Sequence, residues 1–160
     1  MPAPGADAAS RFRPDRMTPD QERVWALVLD YLTEKAAREG NPIHIDEEPP
    51  LIRARFLGET RDFTTIWFTV GSRTLQYETY VLPAPEEDAV SVYGYLMRWN
   101  RRLYLASFGL DADGEVYLSG RIPLAAVTEE EVDHIVGQLF AAVEATFRTA
   151  LRLGFPRHFT

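Results

Sequence analysis

The chain has 160 residues, 46% of them apolar and 12% aromatic, which is enough for one well-buried core. It contains no cysteine, so disulfides, thiolate catalysis and cysteine-ligated zinc are excluded. A net charge of −7 argues against a general nucleic-acid binder, whose affinity rests mostly on basic contacts to phosphate.

Residues 1–17 are rich in Pro, Ala and Gly, lack periodicity and contain no apolar run of the signal-peptide kind. A disordered tail is expected there, with Arg11, Arg13 and Arg16 read as solvated in preference to a small anion-binding arm. No stretch approaches the roughly 18–20 apolar residues of a membrane span, so a cytoplasmic protein without a membrane partner is expected. A helix starts at Thr18, the N-cap, with Pro19 at its first position and Gln21 at the reciprocal capping-box position. Val24, Leu27, Val28, Tyr31 and Leu32 follow at helical spacing, and Gly40 stops it.

The acidic, proline-rich stretch Asp46–Pro50 reads as a link. Three alternating runs follow, through Ile52–Phe56, Thr65–Val70 and Thr74–Val81, and each reads as a strand with one core face. Gly71-Ser72 fits a two-residue hairpin turn and Gly58–Asp62 a longer loop. Pro83 and Pro85 end the meander, and residues 86–102 return to helix. Strands are expected near 103–110 and 115–124, joined by Asp111-Ala112-Asp113-Gly114. The last helix runs from Glu129 to about Leu153, with Thr128 and Glu131 as its capping box. Its stripe is Val132, Ile135, Val136, Leu139, Phe140, Val143 and Phe147. The order α-β-β-β-α-β-β-α predicts one α+β domain over 18–156, an antiparallel sheet of about five strands with helices packed on it.

Nothing in the pattern points to catalysis. His44, His134 and His158 lack metal-ligand spacing. Asp111–Glu115 resembles a calcium loop only superficially, because its glycine falls at position 4 and no Glu sits at position 12, so it reads as a hairpin turn. No nucleophile elbow, phosphate loop or dinucleotide fingerprint is present. Glu47-Glu48 and Glu86-Glu87 sit beside prolines in solvated links. No catalytic residue, metal or cofactor is expected.

Two surfaces exceed what a core requires. Between 89 and 99, apolar residues cover roughly 220° of the helix, about twice the usual stripe. Either another part of the chain or a second copy covers the extra side, and a homodimer through Val92, Tyr95, Leu96 and Trp99 is expected, with Val90, Tyr93 and Met97 as the other flank. On the sheet, a two-residue turn sets Val70 opposite Arg73, Trp67 opposite Gln76 and Phe63 opposite Tyr80, while Arg53 falls opposite Trp67 at cation–π range. Arg53, Phe63, Trp67 and Tyr80 are read either as a partner-binding face or as ordinary cross-strand pairs. Arg98, Arg101 and Arg102 suit an acidic partner segment or a helix C-terminus equally.

From Tyr95 to Leu124 the sequence resembles the YbjN family, whose members share the type III secretion chaperone-like fold. The resemblance rests on the Leu96…Asn100 helix end, Phe108-x-Leu110-Asp111, the Asp113-Gly114 turn, Val116-x-Leu118, and Pro123 before the Thr128-led helix. It implies a compact, often dimeric domain without an active site, a chaperone-like or regulatory binder of other proteins, loosely linked to stress and regulatory roles. It supplies no catalytic residues and no client identity. The alternative is a carrier or sensor of a small apolar ligand between the sheet and the C-terminal helix, where Gly137 and Ala141–Ala142 leave room.

Overall fold

Helix α1 (Pro19–Glu39) begins as its caps dictate. Thr18 Oγ1 accepts from Gln21 N at 3.2 Å, Gln21 Oε1 accepts from Thr18 N at 2.9 Å, and left-handed Gly40 closes the other end. The computed structural model describes residues 17–159, so the tail expected over 1–17 lies, apart from Met17, outside the described residues. After α1 come β1 (His44–Glu48), β2 (Leu51–Leu57), β3 (Phe63–Val70) and β4 (Thr74–Leu82). Helix α2 (Ala89–Asn100), strands β5 (Ser107–Leu110) and β6 (Val116–Pro123), and helix α3 (Glu129–Gly154) complete the order.

The strands form one antiparallel sheet in the order β1-β2-β3-β4-β6-β5, six strands where about five are expected. The extra one is β1, inside the stretch read as an acidic link. An edge strand tolerates Asp46, Glu47 and Glu48, because only one side must pair and the charges stay wet. Arg53 pairs with Asp46 across β1 and β2, and that hydrogen bond holds the Asp46 carboxyl below the usual range.

The helices cover one sheet face. Ile52, Ala54, Phe56, Ile66, Phe68, Val70, Leu75, Tyr77, Val116 and Leu118 alternate onto it and are buried. From α3, Val132, Ile135, Val136, Leu139, Ala142, Val143, Thr146 and Ala150 meet them. Phe140 and Phe147 are only half-buried, so the stripe runs through small residues instead, and Thr146 satisfies its own hydroxyl on the Ala142 carbonyl at 2.7 Å. At the N-terminus of α3, Glu131 N donates to Thr128 Oγ1 at 3.1 Å, the forward half of the expected capping box.

Three local expectations give way, the first two of them to tertiary bonds. Residues 103–106 are not strand: Leu105 N donates to Gln138 Oε1 at 2.9 Å, and Leu105 O accepts from Tyr77 Oη at 2.5 Å. Gly120 opposite Tyr77 makes this crossing fit, since a Cβ there would lie 2.2 Å from Leu105 O and 2.7 Å from the Tyr77 ring. The β3–β4 link is wider than a two-residue turn. Val70 pairs with Leu75 and Trp67 with Glu78, two residues beyond the expected register, while Gln21 Nε2 and Leu124 N bind the link's Gly71 and Arg73 carbonyls. A two-residue slip keeps every side chain on its own face. Finally, α2 starts at 89, where Asp88 caps it by accepting from Ser91 N at 3.3 Å.

Candidate interaction surfaces

The strand alternation that buries these side chains leaves their neighbours on a sheet face that no described helix covers. The ladders align this face in rows. The central row reads Asp46, Arg53, Trp67, Glu78, Ser119 and Ser107 across all six strands. One flanking row holds Glu48, Leu51, Thr69, Gln76 and Arg121. On the other side, His44, Arg55 and Thr65 are in line on β1–β3, and Tyr80, Tyr117 and Gly109 on β4, β6 and β5. The rings of Tyr80 and Tyr117 meet edge to face at 5.4 Å, and burial followed by Glu115 pushes the Tyr80 phenol up to about 12.

The structure therefore brings Arg53, Phe63, Trp67 and Tyr80 to one face, with two changes of partner. Arg53 does lie opposite Trp67, but its guanidinium is engaged by Asp46. Phe63 pairs with Leu57, not with Tyr80, and the Arg55 guanidinium sits 4.4 Å above its ring. The register shift carries Phe63 past Tyr80, and Arg61 takes the β4 carbonyls before the ladder can reach it. The Arg61 guanidinium donates to the carbonyls of Tyr80 at 2.8 Å and Val81 at 3.0 Å, taking over β4 where the β3 ladder stops at Ile66–Thr79. Burial lowers the Arg61 pKa, and the Phe147 ring lies 5.4 Å away.

Arg98, Arg101 and Arg102 are exposed at the end of α2, which packs on α3 and β5, apart from the open face. Arg102 stacks over the Trp99 ring at 4.6 Å. Along α2 the flanks are the reverse of those expected. Val92 and Leu96 are fully buried in the chain's own core, and Tyr95 and Trp99 are half-buried against it. The outward residues are Val90 and Met97, 85% and 69% exposed, with Leu110 of β5 at 52% and Tyr104 at 75%. Asn100 fixes this region by bonding both backbone groups of Phe108, at 2.7 and 3.2 Å. Tyr93 Oη donates to the Gly114 carbonyl at 2.9 Å. Between them lies an apolar hollow of about 200 Å³ lined by Tyr93, Leu96, Met97, Phe108 and Leu110. Residue types alone could have flagged Leu110, an apolar residue at the end of a short strand.

A second concavity, about 380 Å³, separates the end of α1 from the β2–β3 hairpin and α3, and is lined by Ile43, Phe56, Val136, Gly137 and Phe140. Of the expected roomy positions, Gly137 borders it, whereas Ala142 is buried. The Asp111 loop is a hairpin: Asp111 Oδ1 accepts from Asp113 N and Glu115 N at 2.9 Å, and Gly114 has φ 80°. Among the described residues no three His, Asp or Glu side chains group closely enough to hold a metal ion. No described helix is long and apolar enough to cross a membrane.

Residues 29–152 match the YbjN family, described as "Putative bacterial sensory transduction regulator". An uncharacterised protein of Mycobacterium leprae is 41% identical over 98 residues, covering 61% of this chain, and the chain spans only 53% of that relative's length. Uncharacterised proteins of Mycobacterium bovis and Mycobacterium tuberculosis are 36% identical over 137 residues, 86% of this chain and 73% of theirs. Among solved structures, a chain of the HopA1–SchA chaperone–effector complex superposes with TM-score 0.57 at 10% identity, covering 83% of this chain and 99% of its own. A chain of the ExsC–ExsE complex gives 0.52 at 22% identity, covering 82% and 96%. The shared feature is the fold, that of type III secretion chaperones.

Proposed function

The chain belongs to the YbjN family, and on that premise we propose that it is a non-catalytic, chaperone-like protein-binding domain of the cytoplasm that also binds a second copy of itself. One observation carries the reading: a six-stranded sheet with one face open, on which Phe63, Trp67, Tyr80 and Tyr117 stand among Arg, Thr and Ser. Aromatic anchors amid hydrogen-bonding side chains are the composition of a protein-binding surface. The chaperone–effector complex of like fold supports a protein as the partner. Capture experiments with the wild type and Trp67→Thr side by side test this. A protein enriched by the wild type and lost by the variant supports the reading, and an unchanged set overturns it.

Self-association is assigned to the other surface. Val90 and Met97 of α2 with Leu110 of β5 form the apolar patch, and Tyr95 and Trp99 border α2 from its inner side. The two sheet edges favour this end. β1 carries three carboxylates and two following prolines, devices that resist further pairing, whereas Ser107–Leu110 of β5 has no charge. Light scattering after size exclusion is expected to give a dimer mass at micromolar concentration and a monomer mass for Met97→Asp; a wild-type monomer overturns this half.

The 380 Å³ groove favours a second reading, a small apolar ligand held between the sheet and α3. Native mass spectrometry of freshly purified protein decides it, through a bound lipid-sized mass or none.

A further inference from the structure

The open face carries an unbalanced charge at its centre. Of the three charged residues in the central row, Asp46 and Arg53 pair with each other. Glu78, on β4 between Trp67 of β3 and Ser119 of β6, is half-buried, and among the described residues its carboxylate has no hydrogen-bond or ion-pair partner. Arg121, one row away opposite Gln76, does not reach it. The neighbouring charge that Glu78 does feel is the like charge of Asp111. Burial first, and Asp111 second, raise the Glu78 carboxyl above its ordinary value, as follows for a desolvated anion without a cation.

Resting on the reading of this face as the protein-binding surface, we propose that Glu78 and Trp67 together seat one arginine side chain of the bound segment. The carboxylate supplies two acceptor oxygens for the guanidinium fork, and the adjacent indole offers a flat π-face on which that planar cation stacks. Within the chain the cross-strand cation facing Trp67 is Arg53, and its guanidinium is held by Asp46, so the seat is left to a partner. An acidic segment meets the opposite, the unpaired Glu78 carboxylate with the like charge of Asp111 beside it.

Titration calorimetry with two synthetic pentapeptides tests the seat. One is Thr-Val-Arg-Val-Thr with blocked ends; the other replaces arginine by its neutral isostere citrulline. The wild-type full chain is expected to bind the arginine peptide saturably and about tenfold more tightly than the citrulline peptide, as for a charge-assisted pair. Glu78→Gln is expected to remove that tenfold preference while still binding both peptides saturably, which also shows that the face remains folded. Equal affinities of the two peptides for the wild type, both lost in Trp67→Thr, overturn the seat while the binding face stands. Saturable binding of neither peptide overturns both. Two outcomes assign the seat to another occupant and so overturn it as well. One is tighter arginine-peptide binding by the full chain carrying Arg11→Gln, Arg13→Gln and Arg16→Gln, which makes the chain's own arginines the occupant. The other is a changed solution mass for Glu78→Gln, which makes it a second copy.

Discussion

The two faces of the same sheet are written in the same alternation, yet they are built for different ends. Phe68 and Trp67 are adjacent on β3; Phe68 has no exposed surface, and Trp67 stands half-open on the uncovered side. On the covered face, side chains are apolar almost without exception and packed by α1, α2 and α3. On the open face, aromatic rings alternate with charges and hydroxyls, the composition that the proposed partner-binding surface calls for. The difference teaches that an aromatic on a strand reports its function only when its face is known.

Breaking the covered face has the largest expected effect. Phe68→Ala leaves a cavity at the centre of the core and should cost about 3–5 kcal/mol in chemical denaturation. Arg61→Ala comes next, because it strands the Tyr80 and Val81 carbonyls at the boundary between the faces; about 1–3 kcal/mol is expected. A normal denaturation midpoint for that variant would refute the role given to Arg61.

The third prediction uses pH. Burial first, and Glu131 second, push the Tyr77 phenol up to about 12 from 10.0, so the folded state holds its proton more tightly than the unfolded state. The stability this contributes is complete below pH 10 and is lost as pH rises from 10 through 12. Tyr80 on the open face, also about 12, contributes in the same direction. Stability measured from pH 9 to 12 should fall, and less steeply in Tyr77→Phe; an unchanged slope in that variant counts against the linkage. The smallest effect on folding sharpens the comparison most. Trp67→Thr should change stability by no more than about 1 kcal/mol, since the new residue suits a strand and vacates no core. Its effect should appear in partner binding instead, the inverse of Phe68→Ala.

Much of the framework could be read from residue order. The Thr18 and Thr128 caps, the stop at Gly40, the Asp111–Gly114 hairpin and the facing of Arg53 and Trp67 all follow from local chemistry or strict alternation. The likeness over Tyr95–Leu124 pointed to the family, and Asn100 clamped on Phe108 gives that motif a physical reason. β1 escaped because edge pairing needs only one partner and its acidic residues leave Ile45 as its single apolar position.

Sequence by itself determined which residues share a face, because periods of 2 and 3.6 are properties of the backbone alone. Only the tertiary structure decided which face is covered and what each side chain meets there. Gln21 and Leu124 bind the β3–β4 link, which sets Glu78 opposite Trp67, and Arg61 takes the β4 carbonyls beyond the point where the β3 ladder ends. On α2, a 220° apolar arc does not say which flank turns inward. Packing against α3 and β5 buried Val92 and Leu96 and left Val90 and Met97 outside, because the core fills from whichever side the neighbouring elements approach.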